Sequence, residues 1–156
     1  MNVTAKDAMT TPTISVKPDQ TLKEVIRVFA KNNISGAPVI DDEEKLVGII
    51  TERDIVNFSG KTHIVSLLDT SGWISPHTDV SKIASSREGF EMIAKVKVKS
   101  EMTRKVYSVK EETPLPAVAR LMKKKKVDRI PVVDDQGHLL GIITRSDIVN
   151  KLAEIK

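Results

Sequence analysis

The chain has 156 residues, carries 25 Lys and Arg against 21 Asp and Glu for a net charge of +4, and contains no cysteine. That length fits one ordinary domain or two small units sharing a core, and 40% hydrophobic with 29% charged residues describes a globular chain, not a disordered one. The empty cysteine count excludes disulfide scaffolds, cysteine-bound zinc, iron–sulfur clusters and cysteine nucleophiles; no apolar run reaches the ~20 residues of a membrane span, and the N-terminus lacks the apolar stretch of a signal peptide, so a cytoplasmic location is expected.

The first element is a short β-favouring segment at Ser15-Val16-Lys17. A helix follows, with Thr21 placed to cap it and Glu24 to complete a Thr-x-x-Glu capping box. Its apolar residues Leu22, Val25, Ile26 and Phe29 recur at the i, i+3, i+4, i+7 spacing of a half-buried helix. Two short apolar strands, Ala37–Ile40 and Leu46–Ile50, join through Asp41–Lys45, and runs this short and continuous suit strands buried on both faces. A second helix opens after Thr51. The next stretch, Gly60–Lys97, holds a loop at Ser71–Pro76 and a helical stripe at Val80, Ile83, Ala84, Phe90 and Ala94, interrupted by Gly89. It is too long for a passive linker and is expected to pack or to cover something. Then the pattern returns. Ser108-Val109-Lys110 reads as strand, Thr113 as a cap with Pro114 at the first helical position, and Leu115, Val118, Ala119 and Met122 as the helical stripe. The counterparts of strands Ala37–Ile40 and Leu46–Ile50 follow, joined through Asp135-Gln136-Gly137, which makes a better turn than Asp41–Lys45, and Thr144 opens the last helix.

The return is a duplication. A shift of 93 residues aligns Met9–Asn57 on Met102–Asn150 without a gap, and 22 of the 49 positions are identical. Each copy is β-α-β-β-α, too small to bury enough apolar surface alone, so a mixed α/β (α+β) fold of two copies packed as a pseudo-two-fold pair is expected. The organisation is residues 1–59 for the first copy, 60–96 for the non-repeated insert and 97–156 for the second.

Both copies share Gly-Ile-Ile-Thr-x-x-Asp, at Gly48–Asp54 and Gly141–Asp147. The glycine ends a strand where a side chain would obstruct, the threonine falls at a helix N-cap and the aspartate in the first turn. Free N–H groups at a helix start attract phosphate, the hydroxyl adds a hydrogen bond, and a nearby aspartate accepts from a ribose diol. Thr at an N-cap followed by Asp is also ordinary helix-start chemistry. Its occurrence twice in one context favours a nucleotide site.

With Ala-Pro-Val-Ile-Asp-Asp (37–42), Ile-Pro-Val-Val-Asp-Asp (130–135) and the duplicated Gly-Ile-Ile-Thr-x-x-Asp, the chain resembles the cystathionine-β-synthase (CBS) domain in tandem, a Bateman module. The resemblance implies binding of an adenosine-containing ligand (AMP, ADP, ATP, S-adenosylmethionine or NAD) in clefts between the motifs, regulation without catalysis, and a homodimer. By position it implies that Asp54 and Asp147 hold ribose, that Thr51 and Thr144 touch phosphate, and that the backbone at Gly36-Ala37 and Arg129-Ile130, with Ile14 and Tyr107, lies against the ligand. Some members of the family carry basic residues before the motif proline. Here the first copy has Ser35 and Gly36, and the second has Asp128 and Arg129, so unequal sites are expected, with Arg129 either clamping phosphate or pairing with Asp128.

Other signals carry less. Ser59-Gly60-Lys61-Thr62 resembles the end of a P-loop, but Ile55 stands where its first glycine belongs, so a loop is expected there. Lys123–Lys126 at a helix C-terminus complements the helix dipole. His63, His77 and His138 form no metal-binding spacing, and Trp73 is assigned to a small core of the insert. Two alternatives stand beside the sensor: a nucleic-acid-binding protein, supported by the charge and the lysine run but by few aromatics, and a dimerisation module with degenerate sites.

Overall fold

The computed structural model describes residues 2–61 and 87–155. His63, Trp73, His77, the insert's Ser71–Pro76 and the Val80, Ile83 and Ala84 of its expected helical stripe fall outside them. In chain order the elements are α1 (Ala5–Ala8), α2 (Leu22–Asn32), β1 (Gly36–Ile40), β2 (Leu46–Thr51), α3 (Glu52–Lys61), α4 (Arg87–Lys95), α5 (Val98–Glu101), α6 (Leu115–Lys125), β3 (Arg129–Val133), β4 (Leu139–Thr144) and α7 (Arg145–Glu154). Strand β1 pairs with β2, and β3 with β4. The two β-α-β-β-α copies are therefore present as read, the first β segment of each being a single parallel bridge, Val16 to Val39 and Val109 to Val132. Among the described residues no helix is long and apolar enough to cross a membrane.

The chain divides into two compact units that draw on both copies. The first holds Met1–Ser15, Ile40–Val47 and Lys105–Lys156, and the second Val16–Val39 and Gly48–Arg104. The segment leading into each copy thus folds with the body of the other. In the first unit Ala5 N–H donates to Thr113 O at 2.8 Å and Leu115 N–H to Val3 O at 2.9 Å. In the second, Val98 N–H donates to Gln20 O at 2.8 Å and Leu22 N–H to Val96 O at 3.0 Å. These partners are related by the same 93-residue shift, so the repeat extends to the leading segments.

Within the first unit Ala5, Val109, Val118, Met122, Ile130, Val132 and Ile143 form one core. In the second, Leu22, Val25 and Phe29 of α2 are buried, as the helical stripe predicts, and each such side chain contributes roughly 1.5–3 kcal/mol of burial. Helix α4 packs against α2 and buries Ile93. The described part of the insert is therefore packed, and its helix runs through Gly89. Strands β1 and β3 are almost wholly buried, whereas β2 and β4 alternate buried and half-buried residues. The expectation of strands buried on both faces thus holds for one strand of each pair.

Helix starts follow local chemistry. Thr21 accepts from Glu24 N–H and the Glu24 side chain returns to Thr21 N–H at 2.8 Å, completing the capping box. In the second copy the N-cap is Pro114, not Thr113. Pro114 stands where Thr21 does after the shift and carries no hydroxyl, while Thr113 Oγ1 accepts from Lys110 N–H at 3.1 Å in the preceding turn. Ser59–Lys61 is not a loop but the end of α3, where the buried Ser59 hydroxyl donates to Ile55 O at 3.0 Å. In the turns, Asp41 and Asp134 side chains accept backbone N–H groups. The left-handed position is Glu44 (φ 64) in one and Gly137 (φ 87) in the other.

Candidate functional site

The motif glycines do not end their strands; each is the third of six strand residues. What would obstruct a side chain there is the leading segment. A Cβ on Gly48 would lie 2.6 Å from Met102 Sδ and 3.1 Å from Thr103 O, and one on Gly141 would lie 2.6 Å from Met9 Sδ and 3.1 Å from Met9 Cβ. This close approach lets the segments pair with the strands. Ile49 and Thr103 exchange backbone hydrogen bonds at 2.9 and 2.8 Å, and Thr10 and Ile142 do so at 2.8 and 3.3 Å.

Thr51 and Thr144 sit at the starts of α3 and α7, and each forms a capping box with the aspartate three residues on. Asp54 Oδ2 accepts Thr51 N–H at 2.8 Å and the Thr51 hydroxyl at 3.1 Å. Asp147 Oδ2 accepts Thr144 N–H at 2.7 Å and its hydroxyl at 2.8 Å. The helix-start reading of the motif is therefore realised in both units. The other carboxylate oxygen meets a residue from the leading segment: Thr103 Oγ1 donates to Asp54 Oδ1 at 3.3 Å, and Thr10 Oγ1 to Asp147 Oδ1 at 3.2 Å. Thr10 and Thr103 were not singled out from the sequence. The available signal is that Met-Thr is identical in both copies at the same shift.

In the second unit, which also holds Thr51 and Asp54, Gly36 and Ala37 are buried in β1, and Glu52 N–H donates to Ser35 O at 2.9 Å. In the first unit Ile130 is fully buried in the core, so only its backbone is available to a ligand. Arg129 lies directly across the ladder from Thr144, and Arg145 N–H donates to Asp128 O at 3.1 Å. The Arg129 side chain, 13% exposed, pairs with Asp128 through Nε at 3.1 Å. Burial works against the Asp128 charge, but the Arg129 hydrogen bond and charge outweigh it and hold the carboxyl below its ordinary value. Tyr107 is half-buried, with Lys125 Nζ 4.9 Å from its ring centroid. Ile14 is exposed and belongs to the same unit.

The lysine run ends α6 as expected, with Lys126 left-handed at the C-cap. His138 bonds Asp134 at 2.8 Å, and among the described residues no group of His, Asp and Glu could hold a metal ion.

The CBS domain family model matches residues 5–61 and 96–154, almost all of the described chain. The chain belongs to the CBS domain family. It is 41% identical over 155 residues to the uncharacterized protein MJ1426 of Methanocaldococcus jannaschii, covering 94% of this chain and 89% of that one. Four further relatives are longer, the chain spanning 21–59% of their lengths. Among solved structures it is similar to CBSX2 in complex with AMP (28% identity, TM-score 0.72, 97% of each chain). It is also similar to the CBS domain pair of MJ0100 in complex with 5′-methylthioadenosine and S-adenosylmethionine (27% identity, TM-score 0.71, 100% of each chain).

Proposed function

We propose that the chain is a regulatory module that binds an adenosine-containing ligand at the Thr-x-x-Asp helix starts of both units, without catalysis. The observation that carries this reading is the duplicated aspartate held in one geometry twice, by its own helix cap and by a threonine of the leading segment. The support from relatives is that CBS pairs of similar structure were solved with AMP, S-adenosylmethionine and 5′-methylthioadenosine. Asp54 and Asp147 take the ribose. Thr51 and Thr144 shape the helix starts that face phosphate. The backbone at Gly36-Ala37 and Arg129-Ile130, with Ile14 and Tyr107, borders the ligand.

The two sites are unequal on this reading, because Arg129 occupies in the first unit the position that Gly36 holds in the second. The module acts as a homodimer, for which the exposed Val149 and Leu152 of α7 offer an apolar surface. A ligand regulates it by binding two of its conformations unequally.

Isothermal titration against AMP, ADP, ATP, NAD and S-adenosylmethionine tests the binding. At least one is expected to bind below millimolar, and Asp54→Ala and Asp147→Ala are expected to weaken it by different factors. No binding by any of the five would overturn the reading, and equal losses would overturn the asymmetry. Light scattering tests the dimer.

A further inference from the structure

A vicinal diol donates two hydrogen bonds and needs two acceptors side by side. A carboxylate with both oxygens open supplies them alone, but Asp54 and Asp147 are not open in that way. Each Oδ2 already accepts two hydrogen bonds from the capping threonine, at 2.8 and 3.1 Å for Asp54 and at 2.7 and 2.8 Å for Asp147. Two bonds match the lone-pair capacity of one carboxylate oxygen. Each Oδ1 accepts one, from Thr103 at 3.3 Å or Thr10 at 3.2 Å, and keeps room for one more. The aspartate therefore has one acceptor position for a diol, not two.

We infer that Thr10 and Thr103 supply the second acceptor, so that each ribose receptor is a Thr–Asp pair assembled from the leading segment of one copy and the helix start of the other. This deepens the nucleotide reading and rests on it. The threonine proton is committed to Asp Oδ1, which turns the hydroxyl lone pairs away from the carboxylate. One ribose hydroxyl then donates to Asp Oδ1 and its neighbour to Thr Oγ1. Both threonines are exposed while the aspartates are half-buried, so the hydroxyls stand on the accessible side of the pair. The backbone pairing of Thr103 with Ile49, and of Thr10 with Ile142, fixes both oxygens to the strand that precedes the capped helix. Thr10 and Thr103 are specificity-determining residues: they select a ribose with both hydroxyls.

The test uses the full chain with Thr10→Val and Thr103→Val combined, and Thr10→Ser with Thr103→Ser as the variant that keeps both hydroxyls. Binding is measured by titration with AMP and 2′,3′-dideoxy-AMP, and with adenosine and 2′,3′-dideoxyadenosine as the phosphate-free pair. Wild type is expected to prefer the diol form. The valine variant is expected to lose about three- to tenfold in affinity for the diol form, the worth of one neutral hydrogen bond, with the dideoxy form unchanged. The serine variant is expected to behave as wild type. Equal loss for diol and dideoxy forms means that the threonines only hold the segment in place, and overturns the inference. So does a valine variant with wild-type discrimination, or a wild type with no preference for the diol. A wild type that binds none of the four compounds, and none of ADP, ATP, NAD and S-adenosylmethionine, overturns the nucleotide reading itself, and the inference with it.

Discussion

Replacing Gly141 by alanine tests whether the leading segment dictates the motif glycine. The added Cβ would lie 2.6 Å from Met9 Sδ, 2.9 Å from its Cγ and 3.1 Å from its Cβ, where carbon contacts settle near 3.5–4 Å. Sulfur and Cγ can swing aside. The Met9 Cβ cannot, because Met9 N–H is bonded to Ala5 O at 2.8 Å and the next residue is paired with Ile142. Overpacking of this kind costs about 1–3 kcal/mol, and alanine recovers about 0.5–1 kcal/mol of backbone entropy in a strand, leaving a net loss of about 1–2 kcal/mol. Met9→Gly removes Sδ, Cγ and the Cβ together, so in that background Gly141→Ala should be close to neutral. The assay is a double-mutant cycle by urea unfolding, with an expected coupling of about 1–2 kcal/mol in favour of the double variant. Additivity within about 0.5 kcal/mol would show that Met9 does not set the glycine.

Three further outcomes follow from the same geometry. Glu44→Gly should stabilise the chain by about 1 kcal/mol, because φ 64 costs a side chain what it does not cost glycine; Gly137→Ala, with no atom within 4 Å of the new Cβ, should lose a similar amount, and opposite signs in thermal melts are the check. Thr21→Ala should cost about 1 kcal/mol by removing a capping box, and Thr113→Ala less because its hydroxyl serves only a turn, so equal losses by urea unfolding would contradict the cap assignment. Asp7 (held by the Thr4 N–H), Asp19 (held by Lys99) and Asp134 (burial opposing, the His138 hydrogen bonds prevailing) all sit below the ordinary carboxylate value. A lowered folded-state pKa gives stability that is present above the unfolded value of about 3.9 and lost as pH falls below it; a melting temperature that does not fall between pH 5 and 3 would refute this.

What could be read from the sequence was what repeats locally. Helical spacing at Leu22, Val25 and Phe29 predicts the buried stripe of α2, and the two runs flanking Asp41–Lys45 predict β1 and β2, because periodicity depends on near neighbours alone. The misplaced cap at Thr113 has a local cause as well, since two adjacent residues competed and the hydroxyl was taken by Lys110 N–H. The glycine clash and the Thr–Asp pairs were illegible for a different reason. Thr10 meets Asp147 across 137 residues, and Thr103 meets Asp54 across 49. Spacing within one copy would pair Thr10 with Asp54, and nothing in the pattern says that the partners are exchanged.

That exchange bears on why the unit is duplicated at all. A single copy holds a leading threonine and a capped aspartate, yet in the folded chain neither meets the other. Asp54 gets its threonine from the segment before the second copy, and Asp147 from the segment before the first. Separating the copies would leave each aspartate with its helix cap intact and its outer oxygen without a threonine. Helix starts would survive, and the proposed ribose receptors would not. The same exchange separates what the copies keep from what they vary. Both units retain the Thr–Asp pair in nearly the same geometry, whereas the sequence position that Arg129 holds opposite Thr144 is occupied by Gly36 in the other copy. On the proposed function, the half of each site that reads the sugar is held in common, and the half that meets charge distinguishes the two.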